Sequence, residues 1–318
     1  MKRPAERLPA FTLLRTVVAA LACVCCLAAT RAETPLAQPQ TQTPPGTTGR
    51  GQTPAVALPN ANGTLKFAVL GDFGTGSKEQ YQTADQMAKS HTTFPYELVV
   101  LVGDNLYGGE RPQDFSKKFE IPYKPLLDGG VKFYASLGNH DSREQRNYKP
   151  FNMNDKLYYT LKAPKQNVRF FFLESTYPDA EQIAWVENEL KNSTEEWKIP
   201  VFHHPLYASG MHGSDVALRD KLEPLFLQYN VSVVFTGHEH FYERIKPQKG
   251  ITYFVCGSGG QLRKGDIDPG TGLTAKGFDT DRAFLIAEIQ GDVLYFNAIS
   301  RTGTIIDSGT VNRRKPVK

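Results

Sequence analysis

The 318-residue sequence predicts an α/β fold in which two mixed β-sheets pack face to face, with helices outside. Three observations predict it. Short apolar runs alternate with helix-length stretches through the first two thirds of the chain, as parallel strands with crossover helices require. The final part is a series of strand-like runs separated by glycines, which reads as hairpins. Four apolar runs stop at a glycine followed by Asp, Asn or His, so polar side chains collect at strand ends, where α/β sheets bind ligands.

The elements follow in order. Leu65–Leu70 is the first strand; the loop 71–77 leads to a polar helix over 78–90. Leu98–Val102 is the second, followed by a helix over 113–127 that Pro122 and Pro125 interrupt. The run 131–137 is the third. Runs 157–161 and 168–173, around Pro164 and Asn167, predict a hairpin. Asp179 can cap a helix whose Ile183, Val186 and Leu190 share one face. A short strand over 199–202, a helix over 216–228 and a strand over 231–235 come next. The tail offers strands at 252–256, 283–289, 293–300 and 304–308, with turns at Gly291 and Gly303.

Composition divides the chain. Residues 1–32 read as a signal peptide: Lys2, Arg3 and Arg7 precede an apolar stretch over 17–29 and small residues at 28–32. That stretch is shorter than the roughly 20 residues a membrane span needs, so no stable membrane insertion is expected after cleavage. The expected location is secreted or periplasmic. Residues 33–63 form a Pro/Thr/Gln-rich linker with few large apolar groups, 64–313 a single globular domain, and 314–318 a basic tail. Of 37 Lys/Arg and 33 Asp/Glu, five and one lie in residues 1–32, which leaves 32 of each. The excess positive charge therefore belongs to the targeting segment and gives no support for a nucleic-acid partner. Only Cys256 remains after cleavage, so the domain folds without an internal disulfide.

The chemistry lies in six blocks: Gly71-Asp72-Phe73-Gly74, Gly103-Asp104-Asn105-Leu106-Tyr107, Gly138-Asn139-His140-Asp141, His203-His204-Pro205, His212 and Gly237-His238-Glu239-His240. A carboxylate ending a buried strand, as at Asp104, needs a counter-charge. Asn139, His140 and Asp141 serve no packing purpose in a row. His238 and His240 share one side of an extended segment, because alternate residues do. His203 and His204 cannot both point the same way, so one binds metal and the other packs or hydrogen-bonds. Two aspartates, an asparagine, a tyrosine and at least three histidines are too many ligands for one ion and suit two, held about 3.5–4 Å apart. A phenolate favours a hard, highly charged ion, so Tyr107 implies Fe(III); His, Asn and carboxylate suit Zn, Fe or Mn.

These blocks, in this order from Gly71 to Arg244, resemble the purple acid phosphatases within the calcineurin-like metallophosphoesterases, of the small single-domain type. The run Gly-His-Glu-His-Phe-Tyr-Glu-Arg at Gly237 is especially similar. The resemblance implies a four-layer αββα sandwich. It implies an Fe(III) site of Asp72, Asp104, Tyr107 and His240, and a divalent site of Asp104, Asn139, His203 and His238. His203 is preferred because the family's ligand stands two residues before a proline, here Pro205. His140 and His212 fall where the family has substrate-binding or proton-donating histidines. The implied activity is hydrolysis of phosphate monoesters, small molecules or phosphoproteins, by metal-hydroxide attack at a dinuclear Fe(III)–M(II) centre, with an acidic optimum. The alternatives are a phosphodiesterase or nucleotidase with two divalent ions, and a noncatalytic exported metal-binding protein. Tyr177, Tyr207 and Arg263 are candidates to line the pocket.

Overall fold

The computed structural model describes residues 55–315. The signal segment and most of the linker lie outside the described residues, as do 316–318. The first sheet has strand order β13-β12-β11-β1-β2-β3: β1 (Leu65–Leu70), β2 (Leu98–Val102), β3 (Lys132–Ser136), β11 (Ala283–Gln290), β12 (Val293–Ser300) and β13 (Ile305–Asn312). The second runs β10-β8-β9-β7-β6-β5-β4: β4 (Tyr159–Lys162), β5 (Val168–Phe172), β6 (Trp197–Val201), β7 (Val233–Thr236), β8 (Tyr242–Ile245), β9 (Thr252–Cys256) and β10 (Thr274–Phe278). β1, β2 and β3 are mutually parallel, as are β5, β6, β7 and β9; the flanking strands are antiparallel. Both sheets are mixed, as expected.

Side-chain alternation explains why they stack. In β5, Phe170 and Phe172 enter the inter-sheet core while Phe171 faces the outer cluster of Val186, Leu190, Leu222 and Phe226. The same split separates Phe235 from Val234 and Phe254 from Tyr253. Phe67 of β1 meets Phe170 and Phe235 of the opposite sheet edge-on, with centroids 5.3 and 5.9 Å away.

Helices cover the outside. α1 (Lys78–Thr93) is capped by Ser77, which accepts from the Gln80 N–H, and buries Gln80, Thr83, Ala84, Met87 and Ser90. The helix expected over 113–127 is instead three short pieces: α2 (Pro112–Phe115), a π-helical turn (Ser116–Glu120) and α3 (Lys124–Asp128). Pro122 and Pro125 cannot donate backbone hydrogen bonds, so the break falls around them. α4 (Ala180–Asn192) is capped by Asp179, and α5 (Val216–Gln228) by Asp215.

Two boundaries shift. The last linker residues join the domain: the Asn60 and Ala61 N–H groups donate to the buried Glu288 carboxylate, and the Val56 N–H to Ser308. At the other end the Arg314 N–H donates to Ser232 Oγ, so the tail begins tethered. β8 and β10 are additions. Glu243 and Arg244 break the apolar pattern of β8, yet Glu243 is buried against Ser209 and Thr274, and Arg244 pairs with Asp307.

Phe67→Ala would leave a cavity between the sheets and should cost about 3–5 kcal/mol. Chemical denaturation measures this, and a loss under about 1 kcal/mol would contradict the packing described.

Candidate metal centre

The two sheets bring their strand ends to one place. Asp72 follows β1, Asp104 and Tyr107 follow β2, Asn139 follows β3, His203 follows β6, and His238 and His240 follow β7. Asp72, Asp104 and His238 have φ of +53°, +50° and +71°, a left-handed conformation that turns each side chain sharply out of its strand. Glycine makes the close approach possible. A Cβ at Gly138 would lie 2.2 Å from Asp104 Oδ1, and one at Gly237 2.5 Å from Asp72 Oδ2.

One half of the site centres on the Tyr107 hydroxyl. It donates to Asp104 Oδ2 at 2.9 Å, and lies 3.2 Å from Asp72 Oδ1 and 3.2 Å from His240 Nε2. The other half centres on His203 Nε2, which lies 3.0 Å from Asn139 Oδ1, 3.2 Å from His238 Nδ1 and 3.4 Å from Asp104 Oδ1. Asp104 thus presents one oxygen to each half. The seven side chains read as candidate ligands meet here, in two groups that share Asp104.

The two adjacent histidines differ in their partners. His203 is fully buried with Nδ1 3.0 Å from the Val102 carbonyl, so Nδ1 carries the proton and Nε2 presents its lone pair inward. His204 Nδ1 pairs with Ser175 Oγ, and its ring packs on His238 at 4.4 Å. His204 lies beside the cluster, close enough that its ring nitrogen joins a possible three-histidine group with His203 and His238.

The donor set fits cations on physical grounds. Asp72 and Asp104 are buried, and among the described residues neither is paired with a lysine or arginine. Burial, then Asp104, holds the Asp72 carboxyl well above the usual carboxylate range. Burial, then Asp72 and Asp104, raises the Tyr107 phenol. Burial, then His204, lowers His203, while His238 is pushed down to about 2 by burial and His203. Burial, then Arg263, takes His240 to about 4. Neutral imidazoles are ready to ligate, and only cations make ionised acids favourable in such a place.

Of residues 65–242, the calcineurin-like phosphoesterase family model matches the whole stretch. The chain belongs to the calcineurin-like phosphoesterase family. It is 28% identical over 248 residues to Purple acid phosphatase 17 of Arabidopsis thaliana, covering 66% of this chain and 73% of that one. It is 25% identical over 249 residues to Tartrate-resistant acid phosphatase type 5 of Oryctolagus cuniculus, covering 64% and 77%. Among solved structures it resembles a purple acid phosphatase from yellow lupin (Lupinus luteus) seeds (TM-score 0.67, 17% identity, 81% of this chain and 55% of that one). It resembles equally GAP50, described as the anchor in the inner membrane complex of Plasmodium (TM-score 0.67, 21% identity, 79% and 90%).

This phosphoesterase site also rests on residues whose roles the sequence pattern left unread. Asp141 accepts from the N–H groups of Gly138, Asn105 and Leu106, locking the loops after β2 and β3 together. Ser175 Oγ accepts from the N–H of both His203 and His204. Lys118 Nζ donates to the carbonyls of Tyr107 and Gly109, fixing the loop that carries the phenol. Asp141 stands next to His140 in the Gly138 turn, but nothing in spacing tells a loop-locking carboxylate from a ligand.

His140 lies at the exposed lip, its ring 4.8 Å from that of Tyr107. The His212 ring lies 4.3 Å from that of His238, with the Arg263 guanidinium along its two ring nitrogens. Tyr207 is not a lining residue: it is buried and donates to Glu223. Tyr177 is 71% exposed on the loop beyond Ser175.

Without metal, the raised Asp72 carboxyl favours folding below the ordinary carboxylate range, and that contribution is lost as pH rises through its raised value. Cations remove the loss, because they require the ionised form. The imidazoles are neutral with or without metal, so their contribution cancels between the two forms. The Tm gap between metal-replete and metal-stripped protein should therefore widen from about pH 5 to about pH 8. Scanning calorimetry at both values measures it; a gap that narrows would contradict this electrostatic account.

Proposed function

We propose that the chain is an exported acid phosphatase that hydrolyses phosphate monoesters at a dinuclear Fe(III)–M(II) centre. One observation carries the reading: the Tyr107 hydroxyl sits within 3.2 Å of Asp72, Asp104 and His240. A phenol so placed has the donor chemistry for Fe(III), which a pair of divalent ions would not require. Asp72, Asp104, Tyr107 and His240 would hold the trivalent ion, and Asp104, Asn139, His203 and His238 the divalent one, with Zn, Fe or Mn suited to that set. When bound, the ions supply positive charge for the phosphoryl oxygens and lower the pKa of a water at the reaction centre.

The chain's own groups divide the remaining work. Asp104 orients both halves of the site, because each of its oxygens faces one of them. The His140 N–H donates to Asp104 Oδ1 at 2.9 Å, which fixes its backbone while the ring stays free at the lip. From there the imidazole can hand a proton to the departing alkoxide oxygen. His212 suits that role less well than the resemblance implied. Burial, then the Arg263 guanidinium, lowers its pKa, which disfavours the protonated form that a proton donor needs. Substrates would be small phosphate monoesters or phosphoproteins. Export rests on the composition of residues 1–32; among the described residues no helix is long and apolar enough to cross a membrane.

Metal analysis with a visible spectrum tests the reading directly. Tyr107→Phe should abolish a phenolate-to-Fe(III) charge-transfer band and lower kcat/KM for 4-nitrophenyl phosphate about tenfold or more. An iron-free wild type that is colourless and fully active would defeat the proposal, as would an unchanged band in the variant.

A further inference from the structure

Arg263 follows the glycine-rich turn after β9, and its backbone N–H donates to the His240 carbonyl at 3.0 Å. The guanidinium lies along the His212 ring, Nη1 2.8 Å from Nδ1 and Nη2 3.2 Å from Nε2. A neutral imidazole has one acceptor nitrogen, so only one of these contacts is a hydrogen bond. Glu239 Oε2 is the nearest carboxylate oxygen, 3.5 Å from Nη1. That oxygen is buried with no hydrogen-bond partner of its own, while Oε1 accepts from the Gly213 N–H at 2.7 Å. Most of the five guanidinium donors therefore have no protein acceptor among the described residues, and the side chain is 27% exposed.

A fixed positive charge beside a site built for cations is unfavourable unless an anion comes between them. Glu239, within the Gly237–His240 block, faces one end of the guanidinium at 3.5 Å. The donors without a protein acceptor are left for a ligand. His212 connects the guanidinium to the divalent half of the site, through its ring contact with His238. The planar fork matches two oxygens of a tetrahedral phosphate, a geometry that lysine does not supply.

Resting on the phosphatase reading above, we propose that Arg263 is a substrate-binding residue that grips phosphoryl oxygens and selects doubly charged monoesters over singly charged diesters. Glu239 and His212 hold it in position. A diester carries a second esterified oxygen and one charge fewer, so it gains less from the guanidinium.

The test uses metal-replete, full-length protein as wild type, Arg263→Gln and Arg263→Lys. Inorganic phosphate is titrated calorimetrically, and KM and kcat are measured for 4-nitrophenyl phosphate and bis(4-nitrophenyl) phosphate. Arg263→Gln should weaken phosphate binding about 10- to 100-fold and raise the monoester KM similarly, with kcat and the diester kcat/KM changed by about 3-fold or less. Arg263→Lys should fall between, and it carries the comparison if the glutamine variant fails to fold. Unchanged phosphate affinity in both variants overturns the proposal, as does an equal loss for both esters or a wild type that binds no phosphate. A wild type that binds phosphate but cleaves neither ester would remove the phosphatase reading, while the titration still decides the role of Arg263.

Discussion

The arrangement depends on one electrostatic constraint: Asp72 and Asp104 are buried within hydrogen-bond reach of the same phenol and, among the described residues, pair with no lysine or arginine. Burying two like charges is costly, and the protein does not relieve the cost with its own cations. It surrounds them with lone pairs, from Asn139, His203, His238 and His240. Such a constellation suits a receptacle for ions, and much of the surrounding backbone serves to hold it. Three of its residues accept left-handed φ, and the glycines at 138 and 237 leave space where any Cβ would collide with a carboxylate.

The double-sheet architecture makes this convergence possible. β1, β2 and β3 belong to one sheet, β6 and β7 to the other, and their ends open on the same side of the molecule. Loops from both sheets then contribute to each group: three residues and one to the group around Tyr107, two and two to the group around His203. Rigidity comes from polar groups one layer further out. Asp141 ties the loops after β2 and β3, Ser175 orders the two adjacent histidines, and Lys118 steadies the phenol's loop. These residues bear on the ligands through backbone hydrogen bonds, so they act on geometry rather than on the chemistry itself.

The fold by itself says less than the site. The chain resembles a lupin purple acid phosphatase and a Plasmodium anchor protein to the same degree, both at low identity. Function therefore has to be argued from side chains. Here the side chains that argue for a hydrolytic centre are the candidate ligands gathered at the strand ends, with His140 exposed beside them.

Strong local signals were legible in the linear pattern. Apolar runs bounded by glycine marked β1, β2, β9 and β12 to the residue, and Asp179 marked the start of α4, because burial and capping act over a few neighbours. The ligand blocks were legible for the same reason, since each is a compact turn after a strand. What tertiary structure alone decided depends on distant partners. β8 escaped because Glu243 and Arg244 are satisfied only by Ser209, Thr274 and Asp307, far away in the chain. The linker's end joined the domain because Glu288, more than 220 residues on, accepts its N–H groups. The inward turn of His203 rests on a carbonyl 101 residues away, and the roles of Asp141 and Arg263 on loops their own neighbours do not specify. Local sequence marked the candidate ligands; the packing of two sheets determined which atoms they present to one another.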